Sequence, residues 1–161
     1  MWYILVHCFI GQVFSTTVNI DANYHMNLIL INATCISEKP DGIAVYCREI
    51  VQGILAAEQN RQYIIYINHK GIKEMSSLAV KGNVTFRIIP GWFSPDHGFI
   101  GHLLRLIFSQ YLALRFPRAI IFNPSQLEVA LRHRYQAVMV HDLIPLLFPD
   151  DHRKQVHFYK Y

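Results

Sequence analysis

His141 and Asp142 stand where a short apolar segment, residues 136–141, comes to its end. A histidine at the carboxyl end of a strand, with a carboxylate beside it, can transfer a proton or donate a hydrogen bond to a ligand oxygen. The alternative is structural: a half-buried histidine followed by an aspartate that caps the next turn. Since the chain holds nine histidines, the pair by itself leaves both interpretations open.

Asp41 and Gly42 lie at the start of a helical pattern that continues from Ile43. Backbone N–H groups and the dipole at such a helix end attract phosphate, and Gly42 would let a ligand approach the backbone closely. The alternative is that Asp41 is only an N-cap and Gly42 only a turn residue. Neither a G-x-G-x-x-G dinucleotide motif nor a P-loop is present.

The spacing of the histidines does not favour a metal site. His97 and His102 are five positions apart, as are His152 and His157, which puts each pair on different helix faces, whereas H-E-x-x-H requires four. A G-x-S-x-G nucleophile motif is also missing from the sequence. We therefore expect no metal and no resident cofactor.

Strand-like and helix-like patterns alternate along the chain after Met26. This alternation predicts an α/β fold, a Rossmann-like and mostly parallel sheet with helices on both faces and right-handed crossovers. Ligands bind such a sheet at the carboxyl ends of its strands, where Asn123, Ser125 and His141 fall. The predicted strands are residues 28–32, 62–68, 83–89, 119–123 and 136–141, and predicted helices begin at Ile43, His97 and Asp150.

The composition is that of one globular domain. Of 161 residues, 52% are apolar and 16% are charged, which excludes a disordered chain. The net charge of +4 is too small and too dispersed to indicate nucleic-acid binding. Basic residues at 132–134 and 153–154 predict a solvated surface, with contact to acidic lipid at a membrane periphery as the alternative. Three cysteines without a C-x-x-C motif fit a reducing cytoplasm.

Residues 1–25 differ from the rest of the chain. They contain no lysine or arginine and their apolar part is interrupted, so they match neither a secretory signal nor a membrane span. We interpret them as a leader or a mis-assigned start outside the domain, which then covers residues 26–161. An extra strand or a short membrane-touching segment is the alternative.

Deleting residues 1–25 is therefore expected to leave the melting temperature nearly unchanged. A domain of this size loses a few degrees for each ~1 kcal/mol of lost stability. A thermal melt that falls by several degrees after the deletion would instead place these residues in the core.

Two segments resemble a known family. Residues 40–50, Pro-Asp-Gly-Ile-Ala-Val-Tyr-Cys-Arg-Glu-Ile, resemble the G-I-G-x-Y-x-R-x-L segment that opens the first helix of family-4 glycosyltransferases. Residues 137–149, Ala-Val-Met-Val-His-Asp-Leu-Ile-Pro-Leu-Leu-Phe-Pro, resemble that family's T-x-H-D-L-x-P-x-x-x-P segment, which is the more specific match. The resemblance covers residues 26–161, the N-terminal half of a GT-B enzyme.

The resemblance implies two Rossmann-like domains that face a cleft. The N-terminal domain binds mainly the acceptor, a glycan or a lipid-linked sugar, and the C-terminal domain binds the nucleotide-sugar donor. Transfer retains the anomeric configuration and needs no metal. Carried over, Asp41 and Gly42, with Ile43, would lie at the donor pyrophosphate and the acceptor, and His141 would lie near the reacting sugar beside Asp142. The same resemblance makes Asn123 and Ser125 lesser cleft positions.

The chain also departs from the family pattern. Ala44 stands where the family often has glycine. The glutamate pair of the family's donor domain has no counterpart, since Glu49 and Glu58 both fall in the first predicted helix. We therefore expect an acceptor-side half that is inactive alone and needs a donor domain supplied in cis or in trans.

Two rival functions remain at this point. One is a non-catalytic Rossmann-like binding module that pairs with another chain; the other, a nucleotide-dependent oxidoreductase, is disfavoured by the missing glycine motif. Because a GT-B half faces a partner domain, part of its surface should be apolar, with Trp92, Phe93 and residues 144–148 as candidates. Such patches associate, so the isolated chain is expected to self-associate.

Overall fold

Five parallel strands form one sheet in the spatial order β3–β2–β1–β4–β5. The computed structural model describes residues 27–39, 41–57, 59–78, 82–141, 144–148 and 150–151. The strands are β1 (Leu28–Asn32), β2 (Gln62–Asn68), β3 (Val84–Ile89), β4 (Ile120–Asn123) and β5 (Gln136–Val138). The helices are α1 (Gly42–Ala57), α2 (Ile72–Met75), α3 (Gly98–Arg115) and α4 (Ile144–Leu147), with short 3-10 turns between several elements.

The central strand β1 contributes side chains to a hydrophobic core on each face of the sheet. Leu28 and Leu30 pack on one face with Phe108 and Leu112 of α3. Ile31 packs on the other face, in the core to which α1 contributes its buried residues Ala44, Cys47, Val51 and Leu55. The sequence of a parallel strand that is buried on both faces is a continuous apolar run, and Leu-Ile-Leu-Ile is such a run. The predicted α/β class, with a parallel sheet between helices on both faces, is confirmed.

The predicted strands agree with the structure to within one residue, except at the end of β5. β1 and β2 have the predicted bounds, β3 and β4 each begin one residue later, and β5 ends at Val138, three residues before the predicted His141. Among the described residues β5 pairs with β4 alone, and its last ladder contact is the N–H of Met139 donating to the Asn123 carbonyl at 2.9 Å. Beyond Met139 the chain leaves the sheet, because β4 has ended. Residues 1–26 and 152–161 lie outside the described part, so the interpretation of residues 1–25 stays a prediction, as does the helix from Asp150 beyond Asp151.

Helix α3 is apolar almost all round, yet only one side of it packs on the sheet. Arg105, Phe108, Ser109 and Leu112 are buried, whereas the opposite face is exposed. That face carries Ile100, Leu103, Ile107 and Leu114. An apolar helix of this kind is expected to be covered on more than one side, and in the part of the chain that the structure describes the second side is open.

Two helical glycines give a matched stability prediction. A Cβ on Gly101 of α3 would lie 2.3 Å from the Ser94 carbonyl oxygen, so Gly101→Ala must push the helix off the preceding turn. A Cβ on Gly53 of α1 would meet nothing within 4 Å. In chemical denaturation we expect Gly101→Ala to lose about 1–3 kcal/mol of stability, and Gly53→Ala to gain about 0.5–1 kcal/mol. Equal effects at both sites would contradict this packing.

Candidate functional site

Three strands end in a buried asparagine. Asn32, Asn68 and Asn123 close β1, β2 and β4, and each is 0% exposed. An amide side chain can donate and accept hydrogen bonds at the same time. It can therefore bond to polar groups beyond the end of a strand, where the hydrogen bonds between strands stop. Asn32 Nδ2 donates to Ser109 Oγ at 3.0 Å and to Asn123 Oδ1 at 3.1 Å. These bonds join the carboxyl ends of β1 and β4 to α3.

Asn68 fastens the loop that follows β1. Its Nδ2 donates to the carbonyls of Thr34 and Ile36, at 3.0 and 2.6 Å, and its Oδ1 accepts from the N–H groups of Lys70 and Gly71. The chain that leads toward α1 is thereby held against the end of β2. Asn32 and Asn68 are not among the predicted site residues, although an asparagine at the end of each apolar strand is a visible signal in the sequence.

Asp41 and Gly42 stand at the start of α1, as predicted. Asp41 Oδ1 accepts from the Ala44 N–H at 2.8 Å, which is the N-cap bond of the structural alternative. A Cβ on Gly42 would meet nothing within 4 Å, so the backbone there faces open space, and Ile43 is exposed. The N–H groups of Gly42 and Ile43 precede the first intrahelical bond, which the Val45 N–H makes to the Asp41 carbonyl at 3.1 Å, and they can meet an acceptor.

His141 is fixed by the loop after β4. Its Nε2 lies 2.6 Å from the Pro124 carbonyl oxygen, and its backbone N–H donates to Gln126 Oε1 at 3.4 Å. A carbonyl only accepts, so Nε2 carries the proton and donates. In the neutral ring the lone pair is therefore on Nδ1, and the residue is exposed.

The Tyr46 ring meets the His141 ring edge-on, with centroids 4.9 Å apart. Tyr46 lies one helical turn after Gly42 on the same face of α1, because residues four apart lie above one another. The contact therefore brings together the start of α1 and the segment after β5, which are far apart in sequence. Asn123 and Ser125 are buried beneath this edge, at 0% and 4% exposure, and Asp142 lies outside the described residues.

A buried ion pair supports the same loop. Arg105 Nε donates to Glu128 Oε1 at 2.7 Å, with the two side chains 5% and 1% exposed, and Arg105 Nη1 donates to the Phe93 carbonyl at 3.0 Å. Burial raises the pKa of Glu128, while Arg105, the Ser125 hydroxyl and the charge of His141 act in the opposite direction. An arginine inside an otherwise apolar helix is the sequence signal for this pair, although the sequence alone does not identify Glu128 as its partner.

An open apolar face of α1 runs away from this edge, with all of its residues on that one helix. It begins at Tyr46, the residue that contacts His141, and ends at Ala57. Its other residues are Glu49, Ile50, Gly53 and Ile54.

Most of the residues expected to be exposed and apolar are exposed, with one correction. Trp92, Ile144, Leu147 and Phe148 are 50–70% exposed. Phe93 is not one of them: its ring packs edge-on against Phe108 at 5.7 Å, because the turn before α3 folds back onto the core.

Comparison with known proteins finds no matching family model, no matching curated protein and no matching solved structure. Within the described ranges, no group of three or more His, Cys, Asp or Glu side chains is placed to hold a metal ion. None of the helices among those residues combines the length and the apolar character of a membrane span.

Proposed function

We propose that this chain is the acceptor-side half of a retaining glycosyltransferase, which moves a sugar from a nucleotide-sugar donor to a glycan or lipid-linked acceptor. A donor-binding domain, in cis or in trans, completes the enzyme. One observation carries the proposal: Tyr46 and His141, from the two segments that resemble family-4 glycosyltransferases, contact each other at the carboxyl edge of the sheet. Parallel sheets of this kind bind their ligands at that edge.

The geometry of His141 suits contact with a sugar. With Nε2 held by the Pro124 carbonyl, Nδ1 of the neutral ring accepts a hydrogen bond from a hydroxyl, and Nδ1–H of the charged ring donates to a ligand oxygen. At the start of α1 the open backbone at Gly42 suits a phosphate oxygen. Asp41 already holds one N–H there, so its carboxylate limits how much negative charge this end accepts.

The open apolar face of α1 favours a lipid-linked acceptor over a free glycan. Its half-buried residues Ile50 and Ile54 offer contact to a hydrocarbon chain, while Tyr46 at one end of this face lies beside His141. A sugar at His141 and an attached chain along this face would together use both surfaces.

The proposal is tested by amide NMR titration of the full chain with three probes: UDP-glucose, a short free oligosaccharide, and a sugar linked through pyrophosphate to a short prenyl chain. We expect shifts at residues 41–46, 123–126 and 138–141 with the prenyl-linked sugar, smaller ones with the oligosaccharide, and little with UDP-glucose, whose main binding domain is absent.

A lack of shifts at these residues with every acceptor probe would overturn the proposal. The rival of a non-catalytic interaction module predicts that outcome, together with the capture of a protein partner by the exposed residues Trp92, Leu147 and Phe148. Tight binding of a nicotinamide dinucleotide would instead revive the oxidoreductase interpretation.

A further inference from the structure

The outer face of α3 carries an apolar strip. It consists of Phe99, Ile100, Leu103, Ile107 and Leu114 of the helix, and of Leu131 from the loop after β4, all 39–78% exposed. Leu131 belongs to the strip because its backbone N–H donates to Gln110 Oε1 at 2.9 Å, in the middle of that face. Gln110 Nε2 also donates to the Val129 carbonyl, which holds the loop against the helix.

The spacing along the strip is that of a helix seam. Ile100, Leu103, Ile107, Gln110 and Leu114 follow one another at intervals of three, four, three and four residues. This is the a/d pattern of helices that pack side by side, with β-branched residues at two of the three a positions and one polar residue at a d position. The residues of α3 that pack on the sheet lie on the opposite side of the helix, so the seam faces away from the core.

We propose that the apolar strip of α3 binds the same strip of a second copy of this chain, in an antiparallel and symmetric pair of helices. The exposed area of the six residues, on the order of 700 Å², sets the most that this contact can bury, and it approaches the ~800 Å² per partner that stable interfaces bury. Eighteen residues make α3 about 27 Å long, enough for such a contact.

Charge favours the antiparallel arrangement. The strip itself carries no charged side chain, so two copies meet without repulsion. Asp96 precedes the start of α3, while Arg115 and Arg118 lie at and just beyond its end. Antiparallel pairing opposes the two helix dipoles and keeps Arg115 and Arg118 of one copy away from those of the other, while Asp96 keeps its neighbour Lys70 at 3.9 Å.

The pairing leaves the candidate site open. α3 packs on one face of the sheet, and α1, with Tyr46, packs on the other. The inference therefore does not depend on the proposed function, and each can fail without the other.

The test is the mass of the full chain in solution, by sizing with light scattering. We expect two chains for the native protein and one for the double variant Leu103→Glu, Ile107→Glu. The matched control is Val45→Glu on α1, at 44% exposure against 46% for Leu103, which should remain a pair. Should the double variant fail to fold by circular dichroism, Leu114→Glu, at a position 78% exposed, serves in its place.

Disulfide cross-linking tests the relative orientation of the two α3 helices. In a Cys8→Ser background, diamide should link Ile107→Cys into a covalent pair, because the middle of an antiparallel seam meets its own copy. Ile100→Cys should stay unlinked, since it would face the region of Leu114 in the other helix. Linking at both positions would contradict the antiparallel arrangement.

Two other outcomes would overturn the proposal. A native chain that is monomeric, but dimerises after deletion of residues 1–25, would mean that these residues cover the strip. A chain that is monomeric in both forms, and that sediments with vesicles containing anionic lipid unless Leu103 and Ile107 are substituted, would mean that the strip contacts a membrane.

Discussion

His141→Ala is expected to lower sugar transfer at least a hundredfold in the assembled enzyme while leaving the fold intact. A side chain that donates to the sugar or moves a proton contributes about 10²–10⁴-fold to rate. The cost to stability should be small, about 1 kcal/mol, because the bond from Nε2 to the Pro124 carbonyl is a single hydrogen bond at an exposed residue.

His133→Ala is the matched control for this experiment. His133 Nε2 also bonds a backbone carbonyl, that of Ala119 at 3.0 Å, but His133 is buried at 8% exposure and lies at the amino end of β4, opposite the candidate site. We expect His133→Ala to lose more stability than His141→Ala, because it leaves a buried carbonyl unpaired, and to keep full turnover per folded molecule.

The measurement pairs a thermal melt with transfer assayed in EDTA, with a donor-binding domain supplied in cis or in trans. If His141→Ala keeps full turnover and only its melting point falls, His141 is a structural residue at a strand end, and the catalytic role is wrong. Activity that needs added metal would contradict the metal-free transfer implied by the resemblance.

The strands could be predicted because their signal is local. Leu28–Asn32 and Gln62–Asn68 are mainly apolar runs rich in isoleucine, so their burial on both faces can be inferred from adjacent residues. The length of β5 could not be predicted in the same way. It depends on where β4, its neighbour among the described residues, ends, and that is a property of the sheet.

The candidate site was predictable only as separate pieces. Residue types placed Asp41 and Gly42 at the start of a helix, where the structure has them, and His141 at a strand end, whereas β5 ends three residues earlier at Val138. That Tyr46 packs on His141, or that Asn32 reaches Asn123 across 91 positions, follows from strand order and could not be seen in spacing. The same holds for Arg105, whose partner Glu128 is 23 positions away.

Arg105→Leu is expected to cost about 3–5 kcal/mol of stability, because it leaves the Glu128 carboxylate buried without its partner. The double variant Arg105→Met, Glu128→Leu removes both charges and should recover most of that loss, since well-packed apolar residues often replace a buried pair at little cost. Glu38→Gln, which removes an exposed partner of Lys70, should change little and serves as the surface control.

The pH dependence of the stability of Arg105→Leu is a second and independent test of the buried ion pair. Burial already raises the pKa of Glu128 above its ordinary value of 4.5, and the guanidinium that opposes this rise is lost in the variant. A carboxyl whose pKa is higher in the folded than in the unfolded state stabilises the fold while both states are protonated, and this contribution is lost as the pH rises through the raised pKa. Denaturation curves of Arg105→Leu should therefore show stability falling as the pH increases from about 4.5, more steeply than in the native chain, and the double variant should lose this dependence. A flat profile in Arg105→Leu, or no recovery in the double variant, would mean that the ion pair does not hold the loop from Pro124 to Glu128 in place beneath His141.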